Sequence, residues 1–465
     1  MTPSTPGAPF RILFINIVSL NVGDAAILEA EIEAFREAYD GPVEIAVADE
    51  EPEAAARVHP HIDFIPGLHL RRVPRVARAR GSAKLARSIR RRRVTLAVRL
   101  LRRSPSLARR LLGPVECAYL DRAQRADVVI STGGTFYVDH YPVRGRVDEL
   151  LAAQALGRPT YFYTQSIGPL RDARKRRLVG RVLRGADGVF LRDERSRKTV
   201  LGLGVPDDRI RLCPDAAFGF AMPADRTPRR GAPGGRPPRI AISVRRWPHF
   251  RTRPADEGTE AYRRAVADAV RRLRALGAEV TFVSTCQGVP EYWTDDSRFA
   301  RTLVDELLPD VSGVRVDSRF RRPRELMDHL RAFDLAVATR MHFAIFALNV
   351  GVPVVPIAYE FKTEELFDGI GMRELVVDIE TITSESLVRR IETALESADV
   401  LRARVRGAVD ALRGGSTAPA EFITRRHAPR TSPADTTAPG TTRTGPDDAI
   451  GRRAGAPSAS DRDAR

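Results

Sequence analysis

Compact apolar runs alternate with helix-length amphipathic segments along most of this chain, and that alternation restricts it to an α/β architecture built on parallel sheets. Parallel neighbours need a crossover between them and bury both faces, so their strands read as unbroken apolar stretches. Arg11–Val18 is the first such strand; Asn21-Val22-Gly23-Asp24 follows, then an amphipathic helix over Ala25–Ala38. Further strands are expected at Val43–Val47, Asp127–Ile130, Thr160–Thr164, Gly188–Leu191 and Arg209–Leu212, with helices near 144–156, 171–184 and 194–202. Residues 221–238 are dominated by Pro, Gly and Arg and break every periodicity, which marks a linker. A second series then runs through strands Ile240–Val244, Glu279–Ser284, Gly313–Val316, Leu335–Ala338 and Val352–Ile357, with helices near 259–276, 297–308 and 341–349, one opened by Pro323, and others over 384–413. The expected organisation is an N-terminal Rossmann-like domain (10–220), the linker, a C-terminal Rossmann-like domain (239–413) and a tail, 414–465, too poor in large apolar residues to order itself.

The formal net charge of +17 does not describe the folded body. Residues 71–110 hold 16 Lys or Arg and no Asp or Glu, which leaves +1 for everything else. Only four lysines occur (Lys84, Lys175, Lys198 and Lys362); a basic set made almost wholly of Arg, beside 33 Pro and 34 Gly, reflects a GC-rich genome. The three cysteines are far apart and form neither a disulfide framework nor a CxxC metal motif, which fits a reducing compartment. No apolar stretch reaches the length of a membrane span, and the apolar run Ile12–Leu20 is interrupted by Asn16. The expectation is a soluble cytoplasmic protein.

In open parallel sheets ligands collect beyond the carboxyl ends of the strands, so the residues just after each strand matter most. The first strand is followed by Asn21, Gly23 and Asp24, and Asp24 reads either as a helix cap or as an acid–base group. Ser131-Thr132-Gly133-Gly134-Thr135 is either an ordinary turn or a place where backbone N–H groups meet an anion. Gln165-Ser166 and Arg192 end the next strands. In the second domain Arg245, then Arg340 and His342, then Tyr359 and Lys362 stand at successive strand ends. Arg340 and His342 lie between a buried strand and a buried helix, where charge is costly without a partner or ligand. The set offers several anion-binding groups, one proton carrier in His342 and one acid, Asp24, on the facing lobe. Walker A, HExxH, GxSxG and complete GxGxxG patterns are absent, and the one Asp-x-Asp pair, Asp461/Asp463, falls in the tail. His59 and His61 flank a proline in a polar loop and read as loop residues before metal ligands.

Taken in order, these motifs resemble the polysaccharide pyruvyl transferases: Asn21-x-Gly23-Asp24, Gly133-Gly134, Gln165-Ser166-x-Gly168-Pro169, Arg192-Asp193-x-x-Ser196, Pro214-Asp215, and above all Thr-Arg-Met-His at 339–342 with Gly351-Val-Pro353 and Tyr359-x-x-Lys362. The resemblance spans most of 11–413 and leaves out 71–113 and the tail. It implies a fold like that of two-lobed, GT-B-type glycosyltransferases, and transfer of the enolpyruvyl unit of phosphoenolpyruvate onto two sugar hydroxyls, giving a cyclic ketal and phosphate. On that reading Arg340 and Arg245 hold the donor, His342 is the general acid and Asp24 the base or a sugar ligand. Arg192, Lys362, Tyr359, Gly133, Gly134, Thr135, Gln165, Ser166 and Asn21 line the substrate site, with no metal and no further cofactor. Implied partners are phosphoenolpyruvate and an envelope glycan, lipid-linked in one form of the expectation.

Other classes remain in view: a GT-B-like glycosyltransferase using a sugar nucleotide, and a non-catalytic membrane scaffold that keeps the fold. Residues 82–112 place Leu85, Ile89, Val94, Leu96, Val98, Leu101 and Leu107 among Arg clusters. That pattern fits peripheral contact with the inner face of a membrane or a solvated insertion. Nucleic acid is disfavoured, because 71–112 has no aromatic side chain for stacking.

Overall fold

A computed structural model describes residues 8–70, 80–220 and 236–429. Most of the linker, the start of the basic segment and the tail from residue 430 lie outside the described residues. The N-terminal lobe carries strands β1 (Phe10–Ile15), β2 (Val43–Asp49), β3 (Phe64–Pro66), β4 (Val128–Ser131), β5 (Gly134–Tyr137), β6 (Thr160–Ile167), β7 (Gly188–Leu191) and β8 (Ile210–Leu212). They form one sheet in the order β3-β2-β1-β4-β6-β7-β8, with β5 paired to β6. Each paired strand runs parallel to its neighbour. The apolar run of β1 feeds both faces: Phe10, Ile12 and Phe14 enter one core, Leu13 and Ile15 the other. That two-sided burial is why the strand reads as continuous rather than alternating.

The C-terminal lobe repeats the plan with β9 (Arg239–Ser243), β10 (Glu279–Phe282), β11 (Val314–Val316), β12 (Leu335–Ala338), β13 (Val354–Ala358) and β14 (Val377–Asp378). Its order, β11-β10-β9-β12-β13-β14, reverses direction between β9 and β12, as the first sheet does between β1 and β4. These switch points leave crevices beyond the strand ends. The strands missing from the sequence reading, β3, β5 and β14, span two to four residues, too short to show a period.

One expectation is overturned. The chain does not lose order at Gly414: helix Ala398–Ser416 runs through it, and a further helix, Ala418–His427, returns to the N-terminal lobe. Phe422 packs on Phe190 and Tyr161, with ring centroids 5.8 and 6.4 Å apart. Tyr161 Oη and His427 Nε2 are 2.8 Å apart, and Tyr39 donates to the Pro429 carbonyl at 3.3 Å. A few apolar residues, Ala420, Phe422 and Ile423, suffice because the lobe offers them an aromatic face. The N-terminal lobe is therefore built from both ends of the chain. Residues 430–465, expected to be disordered, lie outside the described residues.

Candidate active site

A cavity of about 420 Å³ lies where the two crevices face each other. Its walls come from the segments after β1 and β2, from β5 and the loop beyond it, and from the ends of β9, β10, β12 and β13. Helix Val22–Ala38 aims its N-terminus at this space. Asn21 caps it, its side chain accepting from Gly23 N at 2.9 Å, so the cap that Asp24 might have supplied is already in place. Asp24 stands in the first turn, buried, lining the cavity and accepting no hydrogen bond from the described residues. Burial pushes its carboxyl above the ordinary value; His342, Arg146, Lys362 and Arg192 nearby draw it back.

His342 comes from the other lobe, in the first turn of helix Met341–Asn349. Its Nε2 lies 3.5 Å from Asp215 Oδ2, which leaves Nδ1 as the ring nitrogen without a carboxylate. Burial alone would raise Asp215, but Arg192 and His342 beside it hold its carboxyl well below the usual range. Gly23 explains how close the lobes come: a Cβ built on it would sit 2.7 Å from both Cβ and Nδ1 of His342. Gly23→Ala must displace the imidazole, and shifts of that size at a reacting group cost about 10²-fold. We expect turnover to fall by about that factor with far-ultraviolet circular dichroism unchanged; full turnover would show the ring tolerates the move.

The cations seen in sequence meet carboxylates that were not. Arg340 donates from Nε and Nη2 to Asp296 at 2.8 and 2.7 Å, and Asp296 also accepts from Ser284 Oγ. Lys362 pairs with Glu360 at 2.8 Å, which also meets His140 at 3.2 Å. Burial would raise Glu360, yet Lys362 and His140 hold it far below its ordinary value. Arg192 binds Asp215, Ser166 Oγ and Thr135 Oγ1 together. Those guanidiniums and the ammonium are largely neutralised in place. Two cavity-lining cations have no carboxylate partner among the described residues: Arg245, whose Cζ lies 4.3 Å from the Tyr359 ring centroid and 5.2 Å from that of Trp247, and Arg146, 4.0 Å from that of Phe136.

Not every expected residue reaches the cavity. Asn21, Asp24, Thr135, Arg245, Arg340, His342, Tyr359 and Lys362 line it. Gly133, Gly134 and Gln165 do not. The Gly133 N–H is spent on Glu31 at 2.8 Å, Gly134 opens β5, and the buried Gln165 donates to the Thr132 carbonyl. The Gly-Gly pair is thus a packing device, since a Cβ on Gly133 would lie 2.7 Å from Thr164 Oγ1. Ser166 and Arg192 border a smaller adjoining pocket and brace Asp215 and Thr135 from behind.

Arg146, Asp296 and Glu360 join the cleft without a signal at the strand ends of the sequence, and Asp215 gains its role only here, beside Arg192 and His342. Arg146 sits on helix Arg144–Ala155 rather than at a strand end, which hid it. Its local signal is Asn16, the polar break in the first apolar run. Asn16 directly follows β1 at φ 66°, a conformation Asn tolerates, and its carbonyl accepts from Arg146 Nη1 at 2.5 Å. Its side chain donates to Ser131 and Tyr137. His59 and His61 both turn to Glu29, at 3.3 and 3.6 Å, and among the described residues no His/Cys/Asp/Glu group is arranged to hold a metal ion.

Paired parallel-sheet lobes around a cleft that carries an Asp/His pair and two cations without carboxylate partners among the described residues define a GT-B-like protein. Solved structures share the fold: a putative UDP-N-acetylglucosamine 2-epimerase from Listeria monocytogenes (TM-score 0.55, 13% identity, 92% of this chain and 99% of that one) and Anabaena HepE in complex with UDP-glucose (TM-score 0.53, 13% identity, 90% and 98%). Residues 21–360 match the polysaccharide pyruvyl transferase pattern, and the chain belongs to that family. The amylovoran biosynthesis protein AmsJ of Erwinia amylovora is 27% identical over 303 residues, 63% of this chain and 71% of that protein.

Proposed function

We propose that this chain transfers the enolpyruvyl unit of phosphoenolpyruvate to two hydroxyls of one sugar in an envelope polysaccharide or its lipid-linked precursor. Two hydroxyl oxygens bond to C2 of the donor, the C2–O bond to phosphate breaks, and C3 becomes a methyl group. Of the two hydroxyl protons, one balances the proton gained by C3 and the other leaves with phosphate. Such a donor needs cations for its phosphate and carboxylate; Arg146 and Arg245 are available for them, with Lys362 held beside Thr135. Asp24 takes the proton of an attacking hydroxyl, and its raised affinity for protons suits that task. His342 delivers the proton to C3, oriented by Asp215. Arg340, clamped by Asp296, shapes the wall and offers Nη1 to the donor. The scheme draws on no metal and no further cofactor.

The observation that carries this reading is the meeting of Asp24 and His342 from opposite lobes across Gly23. Three free thiols support a reducing, cytoplasmic setting. Among the described residues no helix is long and apolar enough to cross a membrane. The test is thermal-shift binding of phosphoenolpyruvate beside phosphate and UDP-glucose. A shift with phosphoenolpyruvate exceeding that of phosphate is expected. Losing the charged contact in Arg146→Ala should raise the KM for phosphoenolpyruvate by about 10–100-fold. A shift with UDP-glucose alone would replace this reading with glycosyl transfer.

A further inference from the structure

Helix Arg80–Leu101 is apolar on two opposite sides. Val94, Ala97, Val98 and Leu101 are buried against the N-terminal lobe, and Arg90 anchors that side by an ion pair to Glu116 at 2.6 Å. Leu85, Ile89 and Leu96 recur at helical spacing on the other side, about half a turn away, and are 63, 56 and 48% exposed. Leu107, on the following helix Pro105–Arg110, is exposed as well. Arg91, Arg92, Arg93 and Arg99 are exposed around this outer stripe, in a segment without a single Asp or Glu. A solvated insertion has no reason to repeat large aliphatic residues on its water side.

We propose that this outer face docks onto a bilayer surface bearing anionic lipid headgroups. The stripe would enter the headgroup–acyl boundary while the flanking guanidiniums neutralise lipid phosphates, the division of labour of an interfacial helix. A second copy of the chain is a poor occupant, since two such arginine fields repel. Single-stranded nucleic acid is a poor one too, because residues 80–112 present no aromatic ring on which a base can stack. Position gives the surface a use. Arg144 borders the same basic groove as Arg91, Arg92 and Arg99, and two residues later on the same helix Arg146 lines the cavity between the lobes. The docked face and the proposed active site therefore share one helix end. The docking itself does not rest on the pyruvyl transfer reading.

The experiment is co-sedimentation of the full chain with phosphatidylcholine vesicles, with and without about 30% phosphatidylglycerol. At least about tenfold more protein should sediment with the anionic vesicles, and the excess should shrink as salt rises. The triple variant Leu85→Ser/Ile89→Ser/Leu96→Ser should lose about tenfold in that binding. It should keep its thermal midpoint, since all three side chains are exposed. No excess on anionic vesicles overturns the proposal. Undiminished binding by the triple variant, or equal retention on single-stranded RNA, overturns it too, because either would mark a general polyanion surface. Thermal-shift binding of phosphoenolpyruvate, read on the same preparation, reports the active-site reading separately.

Discussion

His342→Ala is expected to lower pyruvyl transfer by about 10²–10⁴-fold, the range that a positioned general acid supplies. The fold should survive, because the imidazole lies at the cleft against Gly23 and its removal opens space without stranding a buried charge: Asp215 keeps Arg192 as its counter-ion. Phosphoenolpyruvate should still shift the melting temperature. The loss thus belongs to kcat, as expected for a contribution made in the transition state. Asp215→Asn separates orientation from chemistry. It removes the charge facing Nε2 and should move the pH profile of kcat with little change in the KM for phosphoenolpyruvate. Turnover of His342→Ala within tenfold of the unaltered enzyme would take the histidine out of the proton transfer.

Asp296→Ala should produce the largest loss of stability. Arg340 and Asp296 form a buried two-pronged pair, and Asp296 is itself only 1% exposed. Removing one member leaves an uncompensated guanidinium in the wall of the cleft, a change that costs about 3–5 kcal/mol. Chemical denaturation should show the midpoint falling at unchanged slope. Replacing both partners together, Asp296→Leu with Arg340→Met, should recover most of that loss, since a well-packed apolar pair replaces a buried ion pair at little cost. The double variant should remain poor at binding the donor. A single variant as stable as the parent would mean that the cleft solvates Arg340.

These two sites also show what a chain of this kind discloses before it folds. Strand ends were legible, because an apolar run that stops at a polar residue has one physical meaning in a parallel sheet; this located Asn21, Asp24, Arg245, Arg340, His342, Tyr359 and Lys362 at the cavity. Their counter-charges were not. Asp296 begins a helix, Asp215 caps the short turn Ala216–Gly219, and Glu360 immediately precedes another helix, all places where an acid has a routine local explanation. Only the fold reveals that Asp296 and Asp215 face guanidiniums from elsewhere in the chain, and that Glu360 turns to Lys362 two residues on and to His140. Gly133-Gly134 carries two meanings that a sequence does not separate: the same lack of side chains that admits a ligand also admits Thr164 and Ile27 beside Gly133. The helix Ala418–His427 escaped notice because its burial depends on a surface built some 250 residues earlier.

That returning helix has a mechanical consequence. The chain passes between lobes twice, once after Phe220 and once back at Ser416–Ala418, and the points where it leaves and re-enters the N-terminal lobe adjoin: a Cβ on Gly219 would lie 3.0 Å from Ser416 Oγ. A body tethered at one point can swivel in any direction, whereas two tethers side by side resist twisting and sliding and leave bending about their common edge as the easy motion. Admitting a glycan then amounts to opening a book along its spine. Contacts between the lobes away from the spine include the Arg57–Glu291 ion pair and the buried Val22 N–H bond to Thr285, while Asn349, bound to the Ala217 carbonyl, lies near the spine. His342 and Asp24 are carried on different covers, so opening would part the two groups to which the proposed proton transfers are assigned.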